Sequence, residues 1–327
     1  MNNLPYLPPA LLGDKSSLSD QARREIQNLS GAQPQAFLMQ AIFAWGVVFA
    51  AMGLAIYVDA FWMTFLAIVI IATRQNILGL LVHEQVHSLG FRGRWGDIIC
   101  NLLAAYPLGI TVQGYANVHL SHHKHYFTDR DPDFLRKSGI DWAFPMAPRH
   151  LAKLLASDLL GLSFIKILKG KQLEKTDAFK RPYPVPQWVR PVFYAILATG
   201  LIYTQTWDIF LIYWIIPLIT ILPVIVRLGA VTEHVYNLPR ASVNESSPLI
   251  ILRWWEKLLL PNLNFTLHAY HHFFPGVAFC NLPKVHLVFL REGLVNEKNS
   301  FQGYWDYLGY LQAATDISAT RKQPDIR

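Results

Sequence analysis

The sequence predicts an all-α integral membrane protein: four transmembrane helices in two hairpins, with a cytoplasmic helical cap that carries a histidine-rich metal site. Three observations predict it. The 327 residues are 52% hydrophobic and only 16% charged, with a mean hydropathy of +0.23, whereas an ordinary soluble domain carries about 25% charged residues. Long apolar runs come in pairs, each pair joined by a short turn. Eight of the twelve histidines fall in three short clusters outside the apolar cores of those runs.

Taken in order, residues 1–35 read as a polar cytoplasmic arm with a short helix over 19–29. Residues 36–58 are an uninterrupted apolar run, long enough to cross a hydrocarbon core of about 30 Å. Asp59 marks a turn. A second run opens at residue 60 and passes Arg74-Gln75-Asn76 toward His83, as a membrane helix extending into the cytoplasm would. Residues 98–112 are apolar but short and contain Pro107, so an interfacial or re-entrant segment is expected. Asp129-Arg130-Asp131-Pro132-Asp133 reads as a turn. Leu151, Leu154, Leu155, Leu159 and Leu162 recur at helical spacing among Arg149, Lys153 and Lys166, predicting one amphipathic helix on the bilayer surface. Residues 169–186 read as a linker. The second apolar pair, 188–204 and 207–226, turns at Gln205-Thr206. Helical segments are expected over 248–260, 264–273, 284–292 and 304–314, with a frayed tail at 320–327. The whole chain, 1–327, reads as a single domain.

Charge sets the expected orientation. No Lys or Arg occurs in 36–73 or 191–226, although the chain carries a net +7. The positive-inside rule then places both turns outside, and both termini and the metal site in the cytoplasm, for a multi-pass protein facing membrane lipids. No basic run or nucleic-acid motif accompanies the charge, so nucleic acid is excluded as a partner. Cys100 and Cys280 are too few for a four-thiolate iron–sulfur cluster and read as reduced buried thiols.

The chemistry resides in His83-Glu84-Gln85-Val86-His87, His119-Leu120-Ser121-His122-His123 and His268-Ala269-Tyr270-His271-His272. Spacings of three and four place these imidazoles on one face of a helix. Alone, the first matches the H-E-x-x-H pattern of zinc peptidases, and an intramembrane zinc metalloprotease using His83 and His87 is the remote alternative. That reading leaves the other two clusters unexplained. A carboxylate-bridged di-iron bundle needs two Glu-x-x-His pairs, and the chain has only Glu84–His87. Eight imidazoles exceed the needs of one ion, whereas two ions with four or five each account for them. Neutral nitrogen donors suit iron, copper, nickel or zinc, and the membrane setting favours iron and O2 chemistry on lipid.

The order H-x3-H, H-x2-HH, H-x2-HH, with a membrane hairpin between the second and third boxes, resembles the membrane-bound fatty acid desaturase and hydroxylase superfamily. Asp131-Pro132-Asp133 after the second box is similar to bacterial acyl-lipid desaturases, as is His271-His272-Phe273-Phe274-Pro275-Gly276-Val277 followed by Asn281-Leu282-Pro283. The resemblance covers residues 36–290. It implies two iron ions held by histidines, O2 as co-substrate, an apolar tunnel for a lipid or fatty-acyl chain, and no catalytic group separate from the ligands. The expected activity is introduction of a double bond, with hydroxylation on the same scaffold as the alternative. The chain has no four-cysteine site, Gly-x-Gly-x-x-Gly fingerprint or His-Pro-Gly-Gly stretch. A separate ferredoxin, rubredoxin or cytochrome b5-like donor, with its reductase, is therefore expected.

The ligand set expected is His83, His87, His119, His122, His123, His268, His271 and His272, with His234 as a ninth. The resemblance implies a histidine beyond the last span, and spacing agrees: Arg227 to His234 parallels Arg74 to His83, each histidine lying roughly 10–14 Å past its arginine on a continuing helix. His125, His150 and His286 read as ordinary histidines. Asp131, Asp133 and Asn264 are candidates to accept hydrogen bonds from ligand imidazoles. Glu233 is at most a neighbour.

Overall fold

The computed structural model describes residues 7–144, 146–169, 178–236 and 239–320. Its regular structure is helical, with three isolated β-bridges among the described residues. Residues 170–177 of the expected linker and 321–327 of the expected tail lie outside the described residues. The chain divides into two units: Met1–Ser30, Ser121–Ala156 and Leu228–Arg327 form the first, Gly31–Leu120 and Ser157–Arg227 the second.

The second unit is built on α2 (Pro34–Val58) and α3 (Phe61–Val86), which follow the short α1 (Asp20–Asn28) of the first unit. Asp59 ends α2 in the left-handed region (φ 48°) and turns the chain back. α2 buries a single stripe, Phe37, Ala41, Ala44, Val48 and Ala55, while Met39, Ile42, Phe43, Phe49 and Tyr57 are exposed. A helix apolar all round but packed on one side needs an apolar solvent on the other. α3 begins with exposed Phe61, Trp62 and Phe65, then buries nearly every residue from Ile71 to Val86.

α4 (Gly96–Cys100) runs into a π-turn (Asn101–Ala105), and α5 (Val112–His125) carries the second histidine box. In the first unit, α6 (Pro132–Lys137) follows, capped by Asp131. The expected single amphipathic helix is two, α7 (Pro148–Leu159) and α8 (Leu162–Lys169). Gly161, at φ +71°, takes a conformation that other residues resist and breaks it.

α9 (Val189–Thr204) has 16 residues, about 24 Å, one fewer than the expected run over 188–204, and is shorter than the other long apolar helices. Pro182, Pro184 and Pro186 block its extension backward, and Gln205 (φ 54°) closes its end. The last apolar helix, α10, runs Trp207–Glu233. Its π-turn (Leu211–Ile215) and Pro217 loosen the helical ladder, and Gln75 of α3 donates to the Trp214 carbonyl at 2.8 Å. Among the described residues, three helices, α2, α3 and α10, are long and apolar enough to cross a membrane.

In the first unit, α11 (Val243–Ser246) and α12 (Trp254–Leu259) precede the third box on α13 (His268–Phe273); α14 (Leu282–Arg291) and α15 (Tyr304–Thr320) close the chain. Only part of the helix expected over 248–260 forms. Ile250 bridges Phe301, and the Ile251 N–H donates to the Phe301 carbonyl at 2.8 Å; β-branched residues after a proline favour this extended form. From Leu7 onward the N-terminal arm is packed against the first unit. Ser19 caps α1, whose Ala22 and Ile26 join Leu249, Tyr270, Val285 and Phe289 in the core.

Candidate metal centre

In the second unit, α3 delivers His83 and, at its C-cap, His87, while α5 delivers His119. The Nε2 atoms of His87 and His119 lie 2.9 Å apart, and the His83 and His119 rings are 4.0 Å apart. One nitrogen from each of the three falls within 4.8 Å of the others. The α3 end is held from outside its own sequence. Arg181 donates to the Gln85 carbonyl (2.9 Å) and the Val86 carbonyl (2.5 Å), and to both Asp97 oxygens (2.8 and 2.7 Å). Helix C-terminal carbonyls lack partners within the helix, and a cation suits that end of the dipole. Asp97 also accepts from Gln85 Nε2 at 2.8 Å.

In the first unit, His122, His234 and His272 form a second trio, again with ligand atoms within 4.8 Å. Nε2–Nε2 distances are 3.3 Å for His122–His234 and 3.1 Å for His272–His234, and His268 joins at 3.1 Å from His272. His123 and His271 meet at 3.1 Å. The third box is not one regular helix as expected: Leu263 and Asn264 are left-handed, Phe265–Leu267 is a 3-10 turn, and the helix begins at His268. α10 ends at Glu233, and His234 closes its last turn, donating its N–H to the Ala230 carbonyl at 3.1 Å.

Hydrogen bonds aim these rings. The fully buried Asp131 accepts from His122 Nδ1 (2.8 Å) and the Phe127 N–H (2.9 Å) on one oxygen, and from the Asp133 and Phe134 N–H groups on the other. A carboxylate only accepts, so His122 carries its proton on Nδ1 and turns the Nε2 lone pair into the cluster. His234 Nδ1 lies 2.9 Å from Ser247 Oγ and 3.2 Å from Tyr126 Oη. Of the other two candidate acceptors, Asp133 binds Arg136, Lys137 and Tyr236, and Asn264 donates to the Phe279 carbonyl. Neither is hydrogen-bonded to an imidazole there.

The donor set fits a metal ion. Desolvation, then neighbouring charge, holds His234, His268 and His272 well below 6.5, and desolvation with the Arg181 charge pushes His87 down to about 3. Neutral imidazoles converging through Nε2 present lone pairs to a common point, which a soft-to-borderline cation satisfies. The third group beside His83 and His87 is an imidazole, not the carboxylate common in the peptidase pattern. His125, His150 and His286 stand outside both trios; His150 pairs with Asp141 and His286 with Tyr270.

Spacing does not single out Arg181, Gln85 and Asp97, nor Ser247 beside His234 and Ser246, whose Oγ lies 2.6 Å from Tyr126 Oη. Tyr126, four residues after His122, is a neighbour that helical spacing could have suggested, as is Tyr115, four before His119 and stacked on its ring.

Comparison with known proteins agrees with this geometry. The dihydrorhizobitoxine desaturase of Bradyrhizobium elkanii is similar, 24% identical over 261 residues that cover 75% of this chain and 73% of that protein. A family described as fatty acid desaturase matches residues 59–305, a stretch that holds all three boxes and His234. With a match over well more than half its length and its histidines gathered in two largely buried trios, this chain belongs to the fatty acid desaturase family of enzymes.

Proposed function

We propose that the nine histidines hold two irons and that the protein uses O2 to introduce a double bond into a fatty-acyl or lipid-like chain. The carrying observation is the pair of trios, one in each unit, each made of imidazoles and each within a single-ion radius. Iron bound there would supply the power to remove hydrogen from an unactivated C–H bond. The residues themselves do the positioning: Asp131 holds the His122 proton on Nδ1, Ser247 and Tyr126 flank His234, and Arg181 secures the helix end that bears His87. A separate redox protein brings the electrons. We take α9, with its flanks, as a fourth crossing, so that the boxes, the basic segments and both termini share the cytoplasmic side.

Two readings of the product compete. Hydroxylation would use the same ligands and differ in how the substrate is placed. The Bradyrhizobium relative is named for dihydrorhizobitoxine, so a substrate other than a fatty acid is a second candidate for the same scaffold. Mass spectrometry of lipids and polar metabolites from cells expressing the protein separates them. A product lighter by two hydrogens supports desaturation, and its class names the substrate. A product heavier by one oxygen replaces desaturation with hydroxylation. A fully active protein containing zinc and no iron would overturn the reading.

A further inference from the structure

Apart from the histidines, the second unit contains a groove of about 740 Å³, within the roughly 300–1,000 Å³ of small-molecule sites. One wall is Trp95, just before α4, with Ile98 of α4 and Leu102 of its π-turn; the other is Trp188, just before α9, with Val192 and Ile196 of its first turns. The Arg181–Asp97 pair and a 2.9 Å hydrogen bond from Tyr194 Oη to the Tyr106 carbonyl hold the walls together. The lining is almost wholly apolar, and Arg94 is its charged member. The guanidinium is exposed, lies 5.4 Å from the Trp95 ring centre, and has no ion pair among the described residues.

We propose that this groove binds an anionic phospholipid of the surrounding bilayer, with an acyl chain between the walls and the phosphate on Arg94. Two features choose this occupant. Ile196, 68% exposed, lies both in the groove and on the lipid-suited face of α9, so the groove opens sideways onto an apolar surface that a water-soluble ligand would not approach. Trp95, stacked beside Arg94, and Tyr183 and Trp188 line the same groove. Tryptophan and tyrosine mark the headgroup level of a bilayer, where a cation meets lipid phosphate.

The test is native mass spectrometry of the purified full chain. The protein is equilibrated in micelles holding equal phosphatidylglycerol and phosphatidylcholine with identical acyl chains. The wild type should retain phosphatidylglycerol about fivefold in preference, the discrimination expected of one basic residue. Arg94→Gln should remove the preference, and Val192→Trp, which fills the groove, should lower retention of both lipids. Equal retention by the wild type, or a preference unchanged in Arg94→Gln, overturns the proposal. So does displacement of the retained phosphatidylglycerol by equimolar oleate, which would give the groove to a free acyl chain. Arg94 lies on the surface, so its variant decides the matter even where Val192→Trp lowers the melting temperature. Lipid retention is read without turnover or iron, so failure here leaves the desaturase reading untouched.

Discussion

The two histidine trios are built by different means. That of the second unit stands on long helices: His83 and His87 end α3, His119 rides on α5, and the Arg181 clamp acts on backbone carbonyls. That of the first unit draws on a helix, the residue just past another, and a short helix behind a 3-10 turn. There, side chains grip the rings themselves, through Asp131, Ser247 and Tyr126. Regular helices carry their own geometry, so the first arrangement needs its helix end kept intact. Irregular segments do not, so the second needs each imidazole aimed separately.

The largest effect should come from the residue that belongs to no box. His234→Ala should lose iron and turnover together, by at least the roughly 10–100-fold seen when outer-shell partners are removed. His150→Ala, at a residue that pairs with Asp141 away from both trios, should keep both. Iron analysis and turnover of the two variants side by side decide it, and a fully loaded, active His234→Ala removes the ninth ligand.

Next, Asp131→Asn and Arg181→Gln should fail in opposite ways. Asp131→Asn disturbs the His122 tautomer and should weaken iron about 10–100-fold in a chelator competition, with a smaller change in melting temperature. Arg181→Gln strands Asp97 in a buried pair whose partners are 6% and 8% exposed; breaking such a pair costs about 3–5 kcal/mol. It should therefore lower the melting temperature more than it weakens iron. Matching profiles for the two would erase the contrast between the trios.

A pH effect sharpens the first unit further. Burial pushes the Asp133 carboxyl up, but Lys137 and Arg136 outweigh it and hold it well below 3.8. A depressed carboxylate contributes stability above its unfolded value of about 3.8, and that contribution is lost as pH falls toward the folded value. Asp133→Asn should accordingly melt lower at neutral pH and show a flatter loss of stability below about pH 4. Thermal scans across that window check it; parallel curves would show that Asp133 is not coupled to the fold.

The smallest change expected is Ser247→Ala, which removes one neutral contact to His234 Nδ1. A net hydrogen bond contributes about 0.5–1.5 kcal/mol, so a modest drop in melting temperature with iron retained is the expected outcome. Loss of iron as complete as in His234→Ala would mean that the hydroxyl sets the ring's orientation alone.

Where the sequence reading missed, it missed through local chemistry that periodicity does not register. The helix expected through Leu162 breaks at Gly161, and that over 248–260 is shortened by extended residues pairing with Phe301. α9 forms over nearly the whole of its expected run, Val189–Thr204 against 188–204, because a local apolar pattern does register there. Of three candidate acceptors, only Asp131 faces an imidazole, since one turn places two aspartates on different neighbours.

Apolar length, the Asp59 turn and the three boxes were legible because they follow from chain-local periodicity: which residues line a helix face, and how far the helix reaches. Those facts were enough for an all-helical chain with its histidines clustered, and for the family. Which imidazoles meet was decided by tertiary structure. His234 lies 112 residues from His122 and 38 from His272, and Arg181 reaches Asp97 across 84. No spacing rule extends over such separations, because what brings these groups together is packing and hydrogen bonding between segments, not the pitch of any one helix.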